Sequence, residues 1–207
     1  MTAPAVSAWN LANYLTVLRL LLVPVFLAVL LVEDGKDPAW RWAAATVFLI
    51  AAWTDRIDGQ IARSRGLITS FGKMADPIAD KALTGGAFVA LSILGELPWW
   101  VTVLVMVREI GITVMRFVVI RHGVMPASHG GKLKTVLQAT AIVMYVLPLS
   151  GWLASARAWV MVLAVVVTVV TGLDYVVRAL TLRQTSDRAA MKRERKRVRG
   201  HGTRSSG

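Results

Sequence analysis

The chain has 207 residues, 56% hydrophobic and 17% charged, with a formal net charge of +12 and no cysteine. A composition this apolar excludes an ordinary soluble core and points to a membrane protein. The missing cysteines exclude disulfides, thiolate catalysis and Cys-ligated metals.

Apolar runs of about 20 residues, the length needed to cross a bilayer, recur at 12–32, 40–61, 77–95, 98–120, 131–150 and 154–182. Lipid cannot satisfy open backbone groups, so spans of this length are expected as helices. The fold class expected is an all-α polytopic membrane protein with six transmembrane helices. No basic segment precedes the first run, and that run exceeds the usual signal-peptide length, so it is expected to stay attached as the first helix.

The first run carries Asn10, Asn13, Thr16 and Arg19 at three-residue intervals. That spacing drifts around a helix and defines no single strict face, and Arg19 lies early enough to snorkel to the interface. Between the second and third runs lie Asp55, Asp58, Asp76 and Asp80. Asp55, Asp58, Gly59 and Ala62 have the i, i+3, i+4, i+7 spacing of one helical face, and Asp76 and Asp80 are one turn apart on the next helix. Four carboxylates converging at a membrane boundary need a compensating cation. Without nearby His or Cys, oxygen ligands favour Mg²⁺, Mn²⁺ or Ca²⁺ over Zn²⁺. The alternative is a set of solvated helix ends paired to Arg56, Arg63, Lys73 and Lys81.

The fourth run holds Glu109, Thr113 and Arg116 as an i, i+4, i+7 stripe, with a Glu–Arg packing pair as the plain reading. The fifth opens on Lys132, Lys134, Thr135 and Gln138, and the sixth carries Asp174 four residues before Arg178, spaced as a helix-stabilising pair. If Arg116, Lys132, Lys134 and Arg178 converge near the aspartates, they form an anion pocket suited to a second phosphate. Trp9, Trp40, Trp42, Trp99, Trp100, Trp152 and Trp159 lie near span ends, as interfacial anchors do.

Charge alternates between connections. Arg63, Arg65, Lys73, Arg121, Lys132 and Lys134 fall on one side, together with the nine basic residues after Leu182. By the positive-inside rule that side, with both termini and the aspartates, is cytoplasmic. The domain reading is a membrane catalytic domain at 8–182 and a basic, disordered cytoplasmic tail at 183–207. The tail is suited to anionic lipid, and without aromatic interleaving it is not expected to bind nucleic acid.

The aspartate segment fits D-x2-D-G-x2-A-R-x8-G-x3-D-x3-D at Asp55, Asp58, Gly59, Ala62, Arg63, Gly72, Asp76 and Asp80, and so resembles the signature of the CDP-alcohol phosphatidyltransferase family. The resemblance implies that family's membrane fold, a homodimer, and transfer of a phosphatidyl group from CDP-diacylglycerol to an alcohol with release of CMP. It implies that Asp55, Asp58 and Asp76 ligate Mg²⁺ or Mn²⁺, as two ions, and that Asp80 is general base and shared ligand. Gly59, Ala62, Arg63 and Gly72 would border the CDP-lipid.

Within that family the N-x5-T-x2-R element ending at Arg19, the REI-x5-R element from Arg108 to Arg116 and the GK-x-KT-x2-Q element from Gly131 to Gln138 resemble members that use sn-glycerol 3-phosphate. Arg116, Lys132, Lys134 and Arg178 would then hold its phosphate. Asn13, Thr16, Arg19, Glu109, Thr135 and Gln138 are further candidates. Competing readings are a family member with another acceptor (inositol phosphate, inositol or phosphatidylglycerol) and a cation transporter, whose carboxylates would be expected nearer the bilayer midplane.

Overall fold

The structure, a computed structural model, describes the backbone of residues 11–64, 70–119 and 129–202, and side chains within 13–54, 75, 77–115 and 131–181. Among these residues it is all-helical, with α1 Leu11–Leu31, α2 Pro38–Ser64, α3 Ser70–Ile93, α4 Trp99–Val119, α5 His129–Val146 and α6 Gly151–Gly202.

Local chemistry fixes the turns at one end of the bundle. After α1 the chain reverses through Glu33, Asp34 and Gly35 with φ of 51°, 55° and 65°. This is a left-handed conformation costly for the two acidic residues. A Cβ on Gly35 would lie 2.7 Å from Leu94 Cδ1 and 3.3 Å from Leu30 O, so a larger residue there would push Leu94 aside as well as strain the backbone. The backbone N–H of Ala39 donates to Asp37 Oδ1 at 2.7 Å, making Asp37 the N-cap of α2 with Pro38 in the first helical position. At the end of α3, Gly95 (φ 72°) closes a Schellman motif. Its N–H donates to Ser92 O, and that of Glu96 donates to Leu91 O.

α1 packs on α2 and α3, α5 on α6, and α4 on α6 and α3; α2 and α3 also touch each other and α5. The core consists of Val23, Phe26 and Leu30 of α1, Ala44, Ala45 and Phe48 of α2, Ala87, Phe88 and Leu91 of α3, Val101 and Val105 of α4, Ala141 and Ile142 of α5, and Met161 and Ala164 of α6. Small alanines admit close helix approach, and Phe26 and Phe48 meet with ring centroids 5.4 Å apart.

Beside this apolar core the bundle also buries polar groups and exposes large aliphatic ones. Asn13, Thr16, Arg19, Thr102, Lys134, Gln138 and Thr168 are buried, while Leu21, Val107, Ile110, Val166, Leu173 and Val177 are exposed. Exposed aliphatic stripes around buried polar groups suit a bundle solvated by lipid. Two stretches, Asn13–Gly35 and Gly151–Thr181, are long and apolar enough to cross a membrane by length and composition. The other four α-helices interrupt their apolar residues with charged ones.

Two expectations change. Asn13, Thr16 and Arg19 share the buried face of α1 with Val23, Phe26 and Leu30. Neighbours on more than one side cover the drift of a three-residue spacing, and Arg19, fully buried, does not snorkel. The backbone of α6 also continues as helix to Gly202, where a disordered tail was expected from residue 183. The segment AAMKRERKRV is rich in strong helix formers and has no proline, so the helix has no reason to stop at the last apolar residue.

Candidate active site

Asp55, Asp58, Gly59, Ala62 and Arg63 all lie in the helical backbone of α2, and Gly72, Asp76 and Asp80 in that of α3. Each aspartate pair therefore sits about one turn apart on its own helix, and the two helices are in contact. The side chains of Asp55, Asp58, Gly59, Ala62, Arg63, Gly72 and Asp76 lie outside the described residues, as does that of Arg116. Asp80 is described and exposed. Two pairs of hard oxygen donors on adjoining helices match the donor set that a divalent cation with oxygen coordination takes, so these residues fit the metal that the signature implies.

The basic residues separate into distinct environments. Lys134 is buried and paired with Glu109 Oε1. The same carboxylate receives Lys81 Nζ at 3.1 Å on Oε2 and Arg108 Nη1 at 3.0 Å on Oε1. Three cations from α3, α4 and α5 thus surround one carboxylate. Arg108 is also tied to α6, donating from Nε to Thr168 O at 3.2 Å and from Nη2 to Thr171 Oγ1 at 3.0 Å. Gly172 leaves the space for this, since a Cβ there would lie 3.1 Å from Arg108 Cγ.

Lys132 is exposed at the start of α5. Arg178 is exposed on α6 and donates from Nε to Asp174 Oδ1 at 2.9 Å, the i, i+4 pair that the spacing predicts. Among the further candidates, Gln138 Nε2 donates to Thr168 Oγ1 at 3.0 Å, tying α5 to α6. The hydroxyls of Thr113 and Thr135 bond backward to Glu109 O and Gly131 O in their own helices. Lys81 of this cluster directly follows Asp80, about 18–20 Å along α3 from its Ile93 end, and Glu109 lies about 15 Å along α4 from Trp99.

Reasoning from sequence missed the ion partners of Glu109. Helical spacing offered Arg116 as the plain packing partner, and its side chain lies outside the described residues; among the described residues the partners are Lys81, Arg108 and Lys134. The available signal was Lys81 itself, a charged residue inside an apolar run immediately after the last signature aspartate.

Comparison with known proteins covers most of the chain. Residues 9–170 match the CDP-alcohol phosphatidyltransferase family. The chain is 56% identical over 181 residues to a protein of Mycobacterium tuberculosis named probable phosphatidylglycerophosphate synthase, covering 86% of this chain and 87% of the relative. It is 35% identical over 183 residues to the CDP-diacylglycerol–glycerol-3-phosphate 3-phosphatidyltransferase of Bacillus subtilis, covering 81% and 93%. A cardiolipin synthase (CMP-forming) of Streptomyces coelicolor is 33% identical over 155 residues, covering 72% and 71%. With its aspartate signature, helical bundle and family match all in register, the chain belongs to the CDP-alcohol phosphatidyltransferase family.

Proposed function

We propose that this protein transfers the phosphatidyl group of CDP-diacylglycerol to sn-glycerol 3-phosphate, giving phosphatidylglycerophosphate and CMP. The relatives' names support the reaction. The observation that carries the acceptor is the cluster of Lys81, Arg108 and Lys134 around a single carboxylate, beginning one residue after Asp80. Its surplus positive charge suits a phosphorylated alcohol better than a neutral one.

In this mechanism Asp55, Asp58 and Asp76, with Asp80 as shared ligand, would hold Mg²⁺ or Mn²⁺, as two ions. The bound metal would offset the diphosphate's charge and that developing on the entering and leaving oxygens. Asp80 takes the proton from the primary hydroxyl of glycerol 3-phosphate. That oxygen bonds to the phosphatidyl phosphorus, the anhydride P–O bond breaks, and its electron pair leaves with CMP. Gly59, Ala62, Arg63 and Gly72 border the CDP-lipid. Lys134 holds the acceptor phosphate and so orients the hydroxyl toward Asp80; Arg116 and Lys132 are further candidates for that phosphate, and Arg178, paired with Asp174, contributes least.

The reading includes six membrane-spanning helices in a bacterial cytoplasmic membrane, with both termini and the aspartates facing the cytoplasm. Its support is the basic 183–207 segment and the concentration of tryptophans at the opposite helix ends. A homodimer belongs to the same reading, and cross-linking in native membranes tests it.

CMP release by purified protein with CDP-diacylglycerol and Mg²⁺ tests the function, comparing glycerol 3-phosphate, glycerol, inositol 1-phosphate, inositol and phosphatidylglycerol as acceptors. Release that requires glycerol 3-phosphate is expected. Release with phosphatidylglycerol instead would favour the activity named for the Streptomyces relative. Metal uptake into proteoliposomes without lipid substrate would favour a transporter.

A further inference from the structure

Glu109 is the only residue whose side chain joins cations from three helices among the described residues, and those cations differ in how fully they are used. The guanidinium of Arg108 is committed on every nitrogen: Nη1 to Glu109, Nε to Thr168 O and Nη2 to Thr171 Oγ1. Lys81 and Lys134 each make one described hydrogen bond, to Glu109. An ammonium carries three donors, so each lysine keeps donors for another acceptor.

The cluster is shielded from water. Side-chain exposure is 8% for Lys134, 15% for Glu109, 16% for Arg108 and 30% for Lys81. Three positive charges against one negative leave a surplus that burial makes costly until an anion arrives. Without Glu109 the two ammonium groups, on α3 and α5, would face each other and Arg108 with no counter-charge, and would move apart.

We propose that Glu109 is a positioning residue for the acceptor: anchored by Arg108, it holds Lys81 and Lys134 together so that their remaining donors form a seat for the acceptor's phosphate beside Asp80. This assigns Lys81 to the acceptor site alongside Lys134, and it rests on the reading of glycerol 3-phosphate as acceptor. The carboxylate touches neither the reacting phosphorus nor the hydroxyl; it acts through the lysines.

The test uses the full chain, purified in detergent, with CDP-diacylglycerol and Mg²⁺. Glu109→Gln keeps the side chain's shape and removes its charge. It is expected to raise KM for glycerol 3-phosphate about tenfold, the scale of one charge-assisted hydrogen bond. KM for CDP-diacylglycerol should stay within about twofold, because that contact is not disturbed. Glu109→Asp, which keeps the charge, should recover part of the loss. A fall in KM for glycerol 3-phosphate would overturn the proposal, because it would make Glu109 a mere counter-charge that competes with the ligand. An equal rise in both KM values would overturn it in favour of a structural role.

Lys81→Met, at the most exposed member of the cluster, decides the matter should the Glu109 variants not fold. A rise of about threefold or more in KM for glycerol 3-phosphate alone is expected on the same scale, and an unchanged value overturns the proposal. Wild-type protein that turns over glycerol 3-phosphate beside indifferent variants defeats this proposal only. Wild-type protein that ignores glycerol 3-phosphate defeats the functional reading and this proposal with it.

Discussion

Glu96 and Glu109 each gather cations from other helices, one at either end of the same stretch of chain, and they hold those cations in different ways. Glu96, set by the Schellman turn after α3, accepts a hydrogen bond from Arg41 Nη2 at 2.6 Å on one oxygen and forms an ion pair with Arg157 Nη1 at 3.1 Å on the other. Arg41 also donates from Nε to Gly35 O at 2.6 Å, and Arg157 lies 4.9 Å from the centre of the Tyr145 ring. Each arginine is therefore held by a second, non-ionic contact, and the centre clasps the α1–α2 turn, the α3–α4 turn and the adjoining ends of α5 and α6. Glu109 instead meets two lysines that have donors to spare. Arginine presents a rigid fork suited to a fixed joint, whereas a lysine ammonium is a mobile point charge suited to a partner that comes and goes. One end of the bundle is stapled and the other is poised.

Substitutions at the two ends should therefore fail differently. The largest effect is expected from Asp80→Asn, which removes the proposed base and should cut CMP release about 100- to 10,000-fold while CDP-lipid still binds; near-normal turnover would end the assignment. Glu96→Gln should leave both KM values alone and cost about 2 kcal/mol of stability, the range for breaking a charge-assisted pair that is partly buried. That is a drop of about 5 °C in the thermal midpoint, and an unchanged midpoint would remove the clasp. Lys134→Ala should raise KM for glycerol 3-phosphate about tenfold, as loss of a charged hydrogen bond does, with little change in melting; an unaltered KM would move the acceptor pocket elsewhere. Arg178→Ala should do least. Its pair with Asp174 is exposed on both sides, and such i, i+4 pairs contribute about 0.3–0.5 kcal/mol, so a large rise in KM would mean that Arg178 leaves Asp174 to reach the acceptor.

The contrast also marks where sequence is informative. Helices are legible because the hydrophobic period and the turn residues are local: Asp37–Pro38 opens α2 and Gly95 ends α3 within a few residues of the chain. The aspartate signature is legible because its pairs lie one turn apart on their own helices. Arg41 and Glu96 are 55 residues apart, and Lys81 and Glu109 are 28 apart. Neither pairing leaves a periodicity, since helix packing alone decides which charges meet. Arg19 illustrates the same limit, because its depth in an apolar run is visible and the neighbours that bury it are not.

The tryptophans carry a consequence of a different kind. Trp40, Trp42, Trp99, Trp100, Trp152 and Trp159 are all exposed and sit on the clasped end of the helices, while Trp53 is exposed two residues before Asp55. Six of the chain's eight indoles thus emit from the end away from the proposed chemistry. Intrinsic fluorescence is in effect a one-sided lamp: brominated lipid confined to the leaflet at that end should extinguish most of it. A nucleotide-lipid arriving at the aspartates should be seen chiefly through Trp53, and Trp53→Phe would silence that part of the signal while leaving the lamp lit.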